Sequence, residues 1–171
     1  MKEKFRDLPL RSGVGIIILN KENKVFVAKR IDNPKNFWQM PQGGVDEGED
    51  FLTAAYRELE EETSIKKVEI IKEIDGTITY ELPDHLLGII WKGKYKGQKQ
   101  KWFVMRFLGN DEEINIKTNK PEFLEWKWID LDKSKQQDLL KLAEEEASNP
   151  EINDQSKYLV DQKIEVLRSL N

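Results

Sequence analysis

The chain has no cysteine and a single histidine among 171 residues. Disulfides and thiolate metal sites are thereby excluded. One histidine cannot build a His-rich zinc centre, and it makes a histidine-based hydrolytic triad a poor fit. That residue, His85 in "PDHL", reads as an ordinary turn residue rather than a catalyst. Basic excess is also missing: 28 Lys+Arg against 32 Asp+Glu leave a net charge of −4. A protein that coats nucleic acid through its overall field would be basic, so any polyphosphate partner must be held locally. Long apolar runs are absent. The longest, Val14 to Leu19, is far too short to span a bilayer. The N-terminal "MKEKFRDLPLRSG" lacks the apolar core of a signal peptide, so the cytoplasm is the expected compartment, with no membrane and no disulfide partner.

What is present fits one domain spanning 1–171. Hydrophobic residues make up 38% and charged residues 35%, enough for one packed core under a solvated surface. Gly15–Leu19 is a short β-branched run and reads as a buried strand, with Val25–Lys29 returning after the polar turn at 20–24. Residues 32–36 and 40–50 read as loops. Further strands are expected at 68–74, 76–82, 100–108 and around Trp126, Trp128 and Leu131. Trp102–Phe107 is apolar on both faces except at Arg106, as an interior strand would be. Helices are expected from Asp50 or Glu49 to about Thr63, at 134–147 and at 156–170. Strands mixed with helices point to a layered arrangement.

The chemistry is concentrated in "GGVDEGEDFLTAAYRELEEETSI", Gly43 to Ile65. On a helix Leu52, Ala55, Tyr56 and Leu59 form an apolar stripe. Glu58, Glu61 and Glu62 fall at i, i+3 and i+4 on another face, roughly 120–150° away. Glu49, just before the helix body, can add a fourth carboxylate. Like charges at i,i+4 repel, and only Arg57 and Lys66 are near enough along the helix to offset them. A divalent cation would do so, and hard carboxylate oxygens suit Mg²⁺ or Mn²⁺. A plain solvated acidic helix is the alternative reading of such a run.

The intervals favour the cation. The stretch matches G-x5-E-x7-R-E-U-x-E-E-x-G-U, where U is bulky and aliphatic, through Gly43, Glu49, Arg57, Glu58, Leu59, Glu61, Glu62 and Ile65. It resembles the signature box of the Nudix hydrolases. Ser64 departs from it, standing where a glycine ends the helix in that family. The resemblance implies an α+β fold, an α/β/α sandwich with a mixed sheet between helices, and hydrolysis of a nucleoside diphosphate linked to another group. It implies that Glu58, Glu61 and Glu62 bind metal, joined by the Gly43 carbonyl, and that Arg57 orients Glu49 or a neighbouring carboxylate. Bound metal would neutralise the polyphosphate and lower the pKa of the attacking water. Which glutamate acts as base stays open.

"RSGVGIIILN", "WQMPQGGVDEGE", "GQKQKWF" and "NKPEFLEWKW" are similar to the RNA pyrophosphohydrolase branch of that family, which itself resembles the dinucleoside polyphosphate hydrolases. This similarity runs from about Arg11 to Trp128. It implies that Glu122 completes the metal site, that Arg11 and Arg30 meet phosphates or a base, that Lys101 meets a phosphate, and that Tyr80 lines the pocket. Surface charge and simple packing are the competing readings for those four. The Lys92–Lys101 segment, with Trp91, Tyr95 and Trp102, reads equally as a phosphate-and-base lane or as a lysine-rich edge. The segment at about 132–171 departs from the branch, with Gln162, Lys163 and Ile164 standing for its Phe-Lys-Arg. The expected activity is conversion of 5′-triphosphate RNA to 5′-monophosphate RNA. The alternatives are hydrolysis of a dinucleoside polyphosphate such as diadenosine tetraphosphate and, more remotely, a nucleotide-binding module without catalysis.

Overall fold

The computed structural model describes residues 3–32 and 38–130. Among these, in chain order, lie β1 Leu10–Leu19, β2 Val25–Arg30, β3 Trp38–Gln39, β4 Gln42–Gly44, α1 Phe51–Thr63, β5 Val68–Glu73, β6 Ile78–Glu81, β7 Gly97–Phe107 and β8 Phe123–Ile129. Every strand expected from the sequence is present, though β6 starts later, at Ile78, and β1 and β7 start earlier. β1 extends back to Leu10 and β7 to Gly97, because the two pair in parallel from Leu10↔Gly97 to Leu19↔Arg106. The stretch 40–50 is not all loop. Gln42–Gly44 forms β4, pairing antiparallel with Gly13–Gly15 of β1. Leu131 and the helical segments expected at 134–147 and 156–170 lie outside the described residues.

The strands form one mixed sheet of order β3-β2-β1-β7-β5, with β4 on β1, β6 on β7 and β8 on β2. Side chains alternate across it and feed two apolar clusters. Val14, Ile16, Ile18, Phe103, Met105 and Phe107 face α1, where Ala54, Ala55, Leu59 and Ile65 meet them. Ile17, Val25, Val27, Met40 and Trp102 gather on the opposite face. The arrangement is α+β, with α1 packed on one face of the sheet. No helix among the described residues is long and apolar enough to cross a membrane.

Two glycines of β1 make room for β7 side chains. A Cβ on Gly15 would collide with the Trp102 indole, and one on Gly13 with the Gln98 amide. Below Gly13, the Gln100 side-chain amide donates to Gln42 Oε1 at 2.8 Å, which ties β7 to β4.

Half of the stripe expected on α1, Ala55 and Leu59, is buried, but the other half is not. Leu52 and Tyr56 are exposed, at 36% and 38%, while Ala54, Ala55, Leu59, Glu62 and Thr63 are buried. The small residues face the sheet because they let the helix approach β1 and β4 closely, and the helix is thereby rotated. Glu62 sits on the buried face rather than on a separate one.

The helix is closed at both ends by its own sequence. Asp50 caps the N-terminus, its carboxylate accepting from Thr53 N–H at 2.7 Å. At the other end Ser64 adopts the left-handed conformation (φ 64°, ψ 8°), and its N–H donates to Glu60 O. This is the backbone state that glycine serves most readily at a helix end. The serine hydroxyl adds a bond to Asn115 O at 2.8 Å, which fastens the helix end to the loop before β8. Left-handed backbone costs a non-glycine residue about 1–2 kcal/mol, and a hydrogen bond returns about 0.5–1.5 kcal/mol. Ser64→Ala keeps the strain and loses the bond, whereas Ser64→Gly loses both. The alanine variant is therefore expected to be less stable than the glycine variant by about 1 kcal/mol, read from urea unfolding midpoints. An alanine variant as stable as the glycine one would contradict this account.

Candidate functional site

The β4–α1 loop folds around Arg57. Its Nε and one terminal nitrogen donate to the two oxygens of Glu49, both at 2.8 Å, a bidentate fork. The same terminal nitrogen reaches Gly44 O at 2.9 Å. The other terminal nitrogen contacts Glu58 at 3.0 Å and Glu61 at 3.2 Å. Asp46 lies 3.4 Å from Nε, and its N–H donates to Glu49 Oε1 at 3.1 Å. Gly48 turns the loop through a positive φ of 79°. Arg57 and the Asp46 N–H together hold the Glu49 carboxyl at about 2, well below its ordinary value of 4.5.

Glu58 and Glu62 behave oppositely. Burial pushes the Glu58 carboxyl up, against the pull of Arg57. Glu62 is raised further, first by burial and then by the facing carboxylates of Glu122 and Glu58. It is 4% exposed, and its Oε2 has no hydrogen-bond partner among the described residues. A Cβ on Gly43 would collide with the Glu58 carboxyl, so only glycine there lets this carboxylate lie against β4. Glu61 extends to the rim. Glu122 comes from the loop before β8, placed by its carbonyl accepting from Ile31 N–H at 2.9 Å and by a register shift in the β2–β8 pairing between Lys29 and Arg30.

Glu58, Glu61, Glu62 and Glu122 thus line one cleft of about 1150 Å³. Among the described residues no three acidic side chains already stand at ligating spacing around a point. Their chemistry fits a divalent cation nonetheless. All donors are hard oxygens, and a buried, unpartnered Glu62 oxygen facing a second carboxylate is a charge arrangement that a cation relieves.

The residues expected to meet substrate divide. Arg11, Gln98 and Tyr80 form one row across β1, β7 and β6, by the registers Arg11↔Gln98 and Tyr80↔Gln98. Tyr80 is buried in that row, and the Arg11 guanidinium lies where a Cβ on Gly44 would be. Arg30 stands beside Glu122 at 3.8 Å but is forked onto Asp32 at 2.7 and 2.8 Å. Lys101 is turned elsewhere: its ammonium donates to Gly76 O at 3.0 Å and pairs with Glu73 at 3.3 Å, which fastens the β5–β6 turn. The Lys92–Lys101 segment is not a continuous lane, since Lys96 is bonded to Arg6 O and Trp102 is buried under Gly15. His85 lies in the turn after β6 and does not line the cleft.

Two partners were not singled out from the sequence. Asp46 closes the loop onto Glu49, and Asp32 restrains Arg30. Asp46 had a local signal, an acidic side chain three residues before Glu49 in a glycine-flanked turn. Asp32 had none beyond its nearness to Arg30.

Comparison with known proteins identifies the family. Residues 9–150 fit the NUDIX domain model, and the chain belongs to that family, whose members generally need a divalent metal. An RNA pyrophosphohydrolase of Pelagibacter ubique (strain HTCC1062) is 77% identical over 132 residues, covering 77% of this chain and 84% of the relative. One from Rhodospirillum rubrum is 50% identical over 125 residues, covering 73% and 75%. Among solved structures, an Ap4A hydrolase binary complex from C. elegans superposes with a TM-score of 0.59 at 22% identity, covering 94% of this chain and 95% of that one. That likeness is one of fold.

The carboxylates make opposite contributions to stability with pH. Glu49 is depressed, so its contribution is complete above its ordinary value and lost as pH falls through about 2. Glu49→Gln is expected to be less stable than the parent at neutral pH, the difference closing between 4.5 and about 2. Glu62 is raised, so its cost grows as pH rises above the ordinary carboxylate range. Metal-free Glu62→Gln is expected to be more stable than the parent at neutral pH and equal to it in acid. Denaturation midpoints across that range check both signs, and a Glu62→Gln variant less stable than the parent at neutral pH would contradict the second.

Proposed function

We propose that the chain hydrolyses a pyrophosphate bond at the 5′ end of RNA, converting 5′-triphosphate RNA to 5′-monophosphate RNA. The observation that carries this reading is the relative 77% identical over 132 residues and named RNA pyrophosphohydrolase. The cleft supports it, because its carboxylates fit a cation that would sit between protein and polyphosphate. Dinucleoside polyphosphate hydrolysis would use the same carboxylates, and the relative's name weighs against it as the main activity. We place the protein in the cytoplasm.

Glu58, Glu61, Glu62 and Glu122 would hold Mg²⁺, with Mn²⁺ as a substitute, and the Gly43 carbonyl would join them. When bound, the metal supplies charge neutralisation and activation of water. The protein's own groups do the rest. Arg57 keeps Glu49 ionised and turns Glu58 and Glu61 toward the cleft. Arg11 offers donors to the phosphate chain from the β1 side, with Tyr80 in the same row. Arg30 serves a phosphate or base once released from Asp32. A carboxylate not committed to metal accepts the proton of the attacking water. Lys101 would reach substrate only by leaving Gly76 and Glu73.

Product analysis with Mg²⁺ tests this directly, with 5′-triphosphate RNA and diadenosine tetraphosphate offered side by side. Faster conversion of the RNA is expected, with activity lost on chelation and restored by Mg²⁺. Glu61→Gln and Glu62→Gln are each expected to lower kcat by at least ~10²-fold, the scale of removing a group that stabilises the transition state. Arg57→Ala is expected to do nearly as much. Preferential cleavage of the dinucleotide would replace the RNA reading, and an unaffected Glu62→Gln would refute the assignment of the cleft.

A further inference from the structure

Three arginines stand around the β4–α1 region, and their surroundings differ. Arg57 is saturated by carboxylates, and Arg30 is forked onto Asp32. Arg11 has no carboxylate partner among the described residues. Instead its guanidinium touches two uncharged surfaces. One is the backbone of Gly44, where a Cβ would collide with it. The other is the Trp91 indole, whose centroid is 5.5 Å from Cζ, within the range of a cation–π contact. Gly44 also gives its carbonyl to Arg57. Successive residues of a strand face opposite sides, so Arg11 at Gly44 lies across β4 from Glu58 at Gly43, with no carboxylate partner among the described residues.

Trp91 reaches this place through an unusual backbone. Trp91 (φ 52°, ψ 37°) and Lys92 (φ 58°, ψ 27°) are both left-handed, and neither is glycine. Such residues persist only where their surroundings impose them. Here Gly88 and Gly93, both at positive φ, close the turn on itself, with Phe5 against Gly88. Tyr95 meets Trp91 edge-on at 6.3 Å and 78°. The indole is half-buried and directed at Arg11, so the strained turn coincides with the aromatic contact to the arginine.

We propose that Trp91 is a positioning residue: it holds the Arg11 guanidinium against Gly44 so that the N–H edge faces the phosphate chain of the substrate. This rests on the reading of the cleft as a polyphosphate site. Stacking leaves the in-plane donors of an arginine free for an oxyanion, and it removes rotamers that binding would otherwise have to freeze. Trp91 acts through Arg11 and touches no reacting atom.

The test uses the full chain and two readouts: binding of inorganic triphosphate with Ca²⁺, and steady-state turnover of 5′-triphosphate RNA with Mg²⁺. Trp91→Leu is expected to weaken triphosphate binding and raise KM by about five- to tenfold, the scale of a partly desolvated cation–π contact, with kcat within about twofold. Trp91→Phe restores most of the loss. Trp91→Gly, suited to positive φ, is at least as stable as the parent yet binds as weakly as the leucine variant, which separates positioning from folding. In an Arg11→Ala background Trp91→Leu adds no further loss. A full additional loss there overturns the proposal, as does unchanged triphosphate binding in Trp91→Leu. A raised KM for RNA with unaltered triphosphate affinity also overturns it and assigns Trp91 to a base. Coupling between Arg11 and Trp91 without RNA cleavage upholds the proposal and overturns only the RNA reading.

Discussion

The site depends on one cation. Glu49 and Asp46 of the β4–α1 loop come together with Glu58 and Glu61 of α1, and each would repel the others without Arg57. The guanidinium meets them with a planar set of donors that a lysine could not match, and its bond to Gly44 O adds the adjacent strand to the same node. Loop, helix and β4 are thereby held at one point. Arg57 is itself held above the usual arginine range by these partners, Glu49 first, so it remains charged wherever the protein is folded. The fork is spent on Glu49, the other terminal nitrogen meets Glu58 and Glu61, and Glu62 is left without this partner.

Glu62 is the counterpart. A carboxylate buried beside a second carboxylate, with one oxygen unpartnered, opposes folding. It is tolerated because α1 approaches the sheet through Ala54 and Ala55, and because Gly43 lets Glu58 lie flat against β4. Local instability is concentrated where a ligand would relieve it, and binding then adds to stability by mass action. Ser64 and the Trp91–Lys92 turn are two further departures from easy backbone.

Much of this was legible in the sequence because the intervals are fixed by helix geometry. Arg57, Glu58, Glu61 and Glu62 share one turn or its neighbour, so their clustering needs no tertiary knowledge. Ser64 could be placed at a helix end for the same reason. The rotation of α1 could not be read, because a periodicity argument weights large apolar residues, and here Ala55 and Leu59 of the stripe are joined on the buried face by Ala54 while Leu52 and Tyr56 are exposed. β4 was hidden in a glycine-rich stretch with no strand propensity, its pairing decided by β1. The fate of each basic residue was hidden for a related reason. Arg11, Arg30 and Lys101 look equivalent as letters, and only distant partners, Gly44 and Trp91, Asp32, or Gly76 and Glu73, make one available and the others engaged.

The parallel pairing of β1 with β7 bears on how the molecule is made. β1 lies near the start of the chain, while β7 follows α1, β5 and β6. On a ribosome, β1, β4 and α1 emerge first, carrying Arg57 and most of the carboxylates, but the sheet centre cannot close until Phe107 is free. Pairing of such sequence-distant segments is the slow step in folding a domain, and an apolar strand edge waits exposed until then. The nascent chain is therefore most vulnerable to aggregation during the interval in which α1 exists without the sheet that seats it.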